Sequence, residues 1–113
     1  MKDGFFRVAA ATPEVRVADP VFNREQICRL MEEGAEAGAG LMVFPELCLT
    51  AYTCGDLFLQ APLLQSAREE LLKIIECSEG KDMLVFVGLP WEHGGKLYNV
   101  AAALNKGEVL CMI

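Results

Sequence analysis

The sequence predicts an α/β fold whose sheet begins with parallel strands and finishes antiparallel. Three observations predict it. Apolar runs alternate with segments of helical period along the first 90 residues. Two further strand-like runs follow with no helix between them, separated by Asn105-Lys106-Gly107. Apolar residues make up 53% of the 113 residues, and mean hydropathy is +0.30, enough for one small domain with strands covered on both faces.

The elements follow in order. Phe5 to Ala11, "FFRVAAA", is apolar apart from Arg7 and forms the first strand, ended by Thr12-Pro13. Asn23 with Gln26 three residues later matches a capping box. Ile27, Leu30, Met31, Gly34 and Ala35 then recur at helical spacing, and Gly38 or Gly40 is the natural stop. Leu41 to Phe44 is the second strand. Pro62 suits the first turn of a second helix. Leu64, Ala67, Leu71, Ile74 and Ile75 are its inner face; Arg68, Glu69, Glu70 and Lys73 are its solvated face. Met83 to Pro90, "MLVFVGLP", reads as a strand buried on both faces. A loop over residues 92–96, a strand over 97–104, a turn over 105–107 and a last strand over 109–113 complete β-α-β-α-β-β-β. Right-handed crossovers make the first three strands parallel.

Charge and cysteine content exclude several classes. The net charge is −6 and the basic residues are scattered, so no basic stripe exists for nucleic acid or for an anionic membrane surface. No apolar stretch reaches the roughly 18 residues of a spanning helix. The N-terminal "MKDGFFRVAAAT" is too short in its apolar part for a signal peptide, and Arg7 interrupts it. The five cysteines, Cys28, Cys48, Cys54, Cys77 and Cys111, are odd in number and contain no C-x-x-C pair. Reduced thiols in a cytoplasmic protein are the simplest account. The chain closes inside the apolar run "EVLCMI", and the expectation is an N-terminal piece of a longer protein that is poorly soluble on its own.

The chemistry-bearing residue is Glu46. It follows Pro45 at the carboxyl end of the second strand, where ligands bind in open α/β sheets. Pro45 removes a backbone donor and turns the chain. Apolar Phe44, Leu47 and Leu49 are expected to desolvate the carboxylate and raise its pKa toward that of a general base. The plainer reading is an acid that caps a turn or pairs with a base. His93 in its Gly-rich loop reads as solvated, and Gly94-Gly95 precedes no helix that could hold phosphate. Asp56 reads as a turn cap, and Trp91 and Tyr98 as packing aromatics.

"LMVFPELCLTAY" resembles the glutamate segment of the nitrilase (carbon–nitrogen hydrolase) superfamily. "FRVAAATPEV", "MLVFVGLP" and "LYNVAAALNKGEVL" agree with its order, so the resemblance covers nearly the whole chain. "YTCGDLFLQ" and "GLPWEHGGKLYNVAAAL" resemble the glutaminase domains of the glutamine-dependent NAD synthetase family. The resemblance implies that residues 1–113 are the N-terminal part of an α-β-β-α sandwich with a Glu-Lys-Cys triad. It places Glu46 as general base and Tyr52 in the glutamine pocket. It places the lysine and the nucleophilic cysteine beyond Ile113, and none of the five cysteines matches the nucleophile. Cys48, two residues from Glu46 in a strand-like stretch, points the same way without facing it.

The resemblance further implies glutamine as substrate, a C-terminal synthetase domain as partner and a homo-oligomer. It implies no cofactor in these residues, with ATP and magnesium at the synthetase domain. Ala51 departs from the family's frequent glycine, at a cost of about 1 kcal/mol if that position needs positive φ. The alternatives are a stand-alone amidase or carbamoylase, and a non-catalytic α/β binding module.

Overall fold

The computed structural model describes residues 7–17, 19–50 and 61–113. The order is β1 (Val8–Ala10), α1 (Pro20–Glu36), β2 (Leu41–Val43), α2 (Ala61–Cys77), β3 (Leu84–His93), β4 (Lys96–Asn105) and β5 (Glu108–Met112). The strands lie side by side in sequence order. β1, β2 and β3 are parallel, while β4 and β5 are antiparallel to their neighbours. The predicted order and the switch to antiparallel pairing both hold. Phe5 and Phe6, expected in the first strand, lie outside the described residues.

The sheet carries α1 and α2 on one face. Ile27 and Met31 of α1 and Ala67, Leu71 and Ile74 of α2 pack on Met42, Val85, Val87, Leu89 and Leu104. Residues alternate across a strand, so Val43 and Phe86 point to the other side. That side is more open: Val43 is 41% and Val8 61% exposed. The expectation that β3 is buried on both faces therefore holds in part. Val85, Val87 and Leu89 are fully covered, whereas Phe86 is half-buried.

Three expectations change. α1 starts earlier than Asn23. Asp19 is the N-cap, its Oδ1 accepting from Phe22 N at 3.1 Å, and Pro20 opens the helix with its preset φ. Asn23 is fully buried instead. The 92–96 stretch is a tight hairpin rather than a loop. Gly94 and Gly95 have φ of 59° and 78°, the two positive values a type I′ turn needs, so Glu92 and His93 stay in β3. Cys28 and Cys77 form a disulfide between α1 and α2, Cα atoms 6.0 Å apart, where reduced thiols were expected. Spacing in sequence did not show that the two helices face each other at these positions.

Glu70 also leaves the solvated face assigned to it. It is 3% exposed and joins the helices, accepting from Arg24 Nε at 2.9 Å and Lys73 Nζ at 3.1 Å. Burial alone would raise its pKa; the hydrogen bonds from Arg24 and Lys73 outweigh this and hold the carboxyl below its usual value. A lowered folded pKa gives stability that is present above the unfolded value of about 4.3 and lost as pH falls through the folded one. Glu70→Ala should cost about 2 kcal/mol at neutral pH, roughly a 30-fold faster amide exchange in α2. That difference from the parent should shrink in acid. Equal exchange at neutral pH would contradict the assignment.

Candidate active site

β2 runs out at Val43, and the chain immediately folds over its neighbour. Phe44 N still donates to Phe86 O at 3.0 Å. Pro45 has no donor to continue the ladder, and residues 46–50 form a turn. Cys48 N donates to Pro45 O at 3.2 Å and Thr50 N to Leu47 O at 3.2 Å. Leu47 takes φ of 54°, a left-handed backbone that non-glycine residues adopt only when the surroundings demand it.

Two contacts impose that geometry. The first is Gly88 in β3. A Cβ there would lie 2.5 Å from Leu47 N and 2.8 Å from Pro45 O, so the turn rests directly on bare glycine backbone. Leu49 N then donates to Gly88 O at 3.1 Å. The second is Asn23 in α1. Its Nδ2 donates to Leu49 O at 3.0 Å and to Arg16 O at 2.8 Å, and its Oδ1 accepts from Arg16 N at 2.7 Å. The turn is thus tied to the sheet on one side and to the helix layer on the other.

The turn sorts its side chains. Leu47, Cys48, Leu49 and Thr50 are buried, while Pro45 and Glu46 face outward. This corrects the expected desolvation of Glu46. Phe44, Leu47 and Leu49 face the interior and leave the carboxylate exposed. It also corrects the strand-like reading of residues 46–50: Cys48, expected to point the same way as Glu46, is turned inward while Glu46 faces out.

Asn99 of β4 reaches Glu46, its Nδ2 donating to Glu46 Oε1. Among the described residues, the two are the polar side chains of a hollow of about 470 Å3, bounded by Val43, Pro45, Phe86, Val100 and Ile113. An outward carboxylate, held by one neutral donor beside an apolar hollow, can accept a proton from a group placed there. Tyr52, the second predicted site residue, lies outside the described residues, as do Ala51, Cys54 and Asp56. His93 is exposed at the hairpin end opposite Lys96. Trp91 stacks under Arg68, 4.5 Å from guanidinium to ring centroid. Among the described residues, no group of three His, Cys, Asp or Glu side chains could hold a metal ion.

Asn23, Gly88 and Asn99 escaped the sequence reading. A two-residue turn at Gly94-Gly95 sets His93 opposite Lys96, and counting back places Asn99 opposite Pro90. Read that way, the sequence would have put Asn99 at the same sheet end as Glu46.

A family model described as carbon-nitrogen hydrolase matches residues 7–111. The chain belongs to the carbon-nitrogen hydrolase family. It is 36% identical over 112 residues to the glutamine-dependent NAD(+) synthetase of Mycobacterium tuberculosis, covering 97% of this chain and 16% of that protein. The crystal structure of a glutamine-dependent NAD(+) synthetase from Cytophaga hutchinsonii superposes with a TM-score of 0.88 at 30% identity. That match covers 95% of this chain and 18% of the other. An amidase from Nesterenkonia shares the fold, with a TM-score of 0.76 at 23% identity over 99% of this chain and 43% of its own. The chain thus spans about a sixth of the length of the synthetase relatives. Its sheet and helices are the nitrilase-type half-sandwich that the resemblance implied.

Burial pushes the Cys48 thiol up to about 11, so it is protonated and covered at neutral pH. Iodoacetamide at pH 7.5 should therefore label exposed Cys111 well before Cys48, with labelling followed by peptide mass spectrometry. Faster labelling of Cys48 would reopen its candidacy as a nucleophile. Gly88→Ala should lift the turn off β3 at a cost of about 1–3 kcal/mol. The direct readout is amide exchange at Leu49, whose donor bond to Gly88 O would weaken; an unchanged rate would show that the crossing tolerates a methyl group.

Proposed function

We propose that this chain is the base-bearing N-terminal part of a glutamine-hydrolysing domain within a glutamine-dependent NAD(+) synthetase. The observation that carries the proposal is Glu46, held outward on a turn fixed by Gly88 and Asn23, in a carbon-nitrogen hydrolase chain 36% identical to such synthetases. Glu46 is the general base and Tyr52 shapes the glutamine pocket. The nucleophilic cysteine and an oxyanion-stabilising lysine come from residues beyond this chain.

The chemistry is acyl transfer. Glu46 takes the thiol proton, and the sulfur attacks the side-chain carbonyl carbon of glutamine. The lysine stabilises the negative oxygen of the tetrahedral intermediate. The carbon–nitrogen bond breaks and ammonia leaves with the returned proton. Water then cleaves the thioester, giving glutamate and the free thiol.

The ammonia serves a C-terminal synthetase domain that uses ATP and magnesium to amidate nicotinic acid adenine dinucleotide. The described residues of this chain do not fit that nucleotide or its metal. Gly94-Gly95 closes a hairpin instead of opening a helix, and no cluster of three ligating side chains exists among them. In this reading ATP and magnesium are bound by the synthetase domain. The proposed enzyme is cytoplasmic and homo-oligomeric. No helix among the described residues is long and apolar enough to cross a membrane.

Glu46→Gln in the full-length enzyme should reduce glutamine-driven NAD formation by about 10²- to 10⁴-fold and leave ammonia-driven formation intact. Equal loss with both nitrogen donors would point to a structural defect instead of a missing base. The 113-residue chain alone should release no ammonia from glutamine, having base but no nucleophile.

A further inference from the structure

We propose that Asn99 is a positioning residue for Glu46: its amide fixes Oε1 and thereby leaves Oε2 as the atom that accepts the proton. The proposal rests on the reading of Glu46 as general base. The turn fixes where the Glu46 backbone lies. It does not fix the carboxylate, which is exposed and sits at the end of three rotatable bonds. Asn99 Nδ2 is the side-chain donor that meets it among the described residues.

The direction of the bond is set by chemistry. An ionised carboxylate only accepts, so the asparagine must present its NH2 group. A neutral donor orients the carboxylate without cancelling its charge, as an arginine or lysine would. Among the described residues, Glu46 is the one ionisable side chain lining the hollow, so no charged side chain of β2, β3 or β4 competes with the amide there.

The scaffold behind Asn99 is a continuous hairpin ladder. Asn99 pairs with Pro90 across the β3–β4 ladder, whose far end is closed by the Gly94-Gly95 turn. Gly88, two residues before Pro90 on β3, carries the Glu46 turn. The two ends of the Glu46–Asn99 contact are therefore mounted on the same hairpin. A side-chain pair built this way holds its geometry without help from the substrate.

The test uses full-length enzyme, glutamine as nitrogen donor and a pH series. Asn99→Ala should lower kcat for glutamine hydrolysis by about 10- to 100-fold with KM for glutamine changed less than about twofold, because orientation is lost and binding is not. Ammonia-driven synthesis should be unaffected. Asn99→Asp sets a second carboxylate against Glu46 and should shift the acid limb of the kcat/KM profile to higher pH. Asn99 is exposed, so both variants should fold as the parent does. Glu46→Gln is the control for the underlying reading: full glutaminase activity in that variant overturns the base assignment and this proposal together. If Glu46→Gln is inactive while both Asn99 variants keep parental kcat and pH profile, the positioning role alone is overturned. A rise in KM with kcat unchanged would make Asn99 a substrate contact and would equally overturn it.

Discussion

Everything at the candidate site depends on one close crossing, the backbone of residues 45–47 lying on Gly88. The contact leaves no room for a Cβ, which would stand 2.5 Å from Leu47 N. With it, the chain can leave β2 at a proline, turn sharply through a left-handed Leu47 and send Leu47, Cys48 and Leu49 inward. Glu46 is turned outward by the same step. A larger residue at position 88 would lift the turn, and the carboxylate with it.

The second tie comes from the helix layer. Asn23 is a fully buried polar side chain, and it uses both ends of its amide on backbone groups of Arg16 and Leu49. A buried amide left unsatisfied costs more than the bond itself contributes, so the segment before α1 and the turn after β2 are held in one fixed relation. The guanidinium of Arg16 stacks on Phe22, 3.9 Å from the ring centroid, and steadies the same segment. The Arg24–Glu70–Lys73 cluster and the Cys28–Cys77 disulfide then fasten α1 to α2. Both helices thus form a single plate behind the sheet end that carries Glu46.

Much of this was legible in the sequence. The alternation of apolar runs with helical periods gave the element order, because burial on a helix-covered sheet imposes those periods on the residues themselves. Pro45 and Glu46 marked the site because a proline must end a strand ladder. The remainder was hidden for a common reason: it depends on which surfaces meet. Glu70 looks like a solvated helix acid until Arg24 of another helix reaches it, 46 residues away. Asn23 looks like an N-cap until Asp19 takes that role and Leu49 claims its amide. The outward exposure of Glu46 follows from the turn's left-handed residue, which no apolar pattern announces.

The central claim is that Glu46, oriented by Asn99, is the base of a thiol-dependent amide hydrolysis. The most direct measurement is an experimental structure of the full-length protein after reaction with a glutamine-like electrophile that alkylates the nucleophile. The account predicts a modified cysteine from beyond residue 113, its sulfur within about 4 Å of Glu46 Oε2, with Asn99 still on Oε1. Modification of Cys48 or Cys111, or a labelled sulfur out of reach of Glu46, would contradict it.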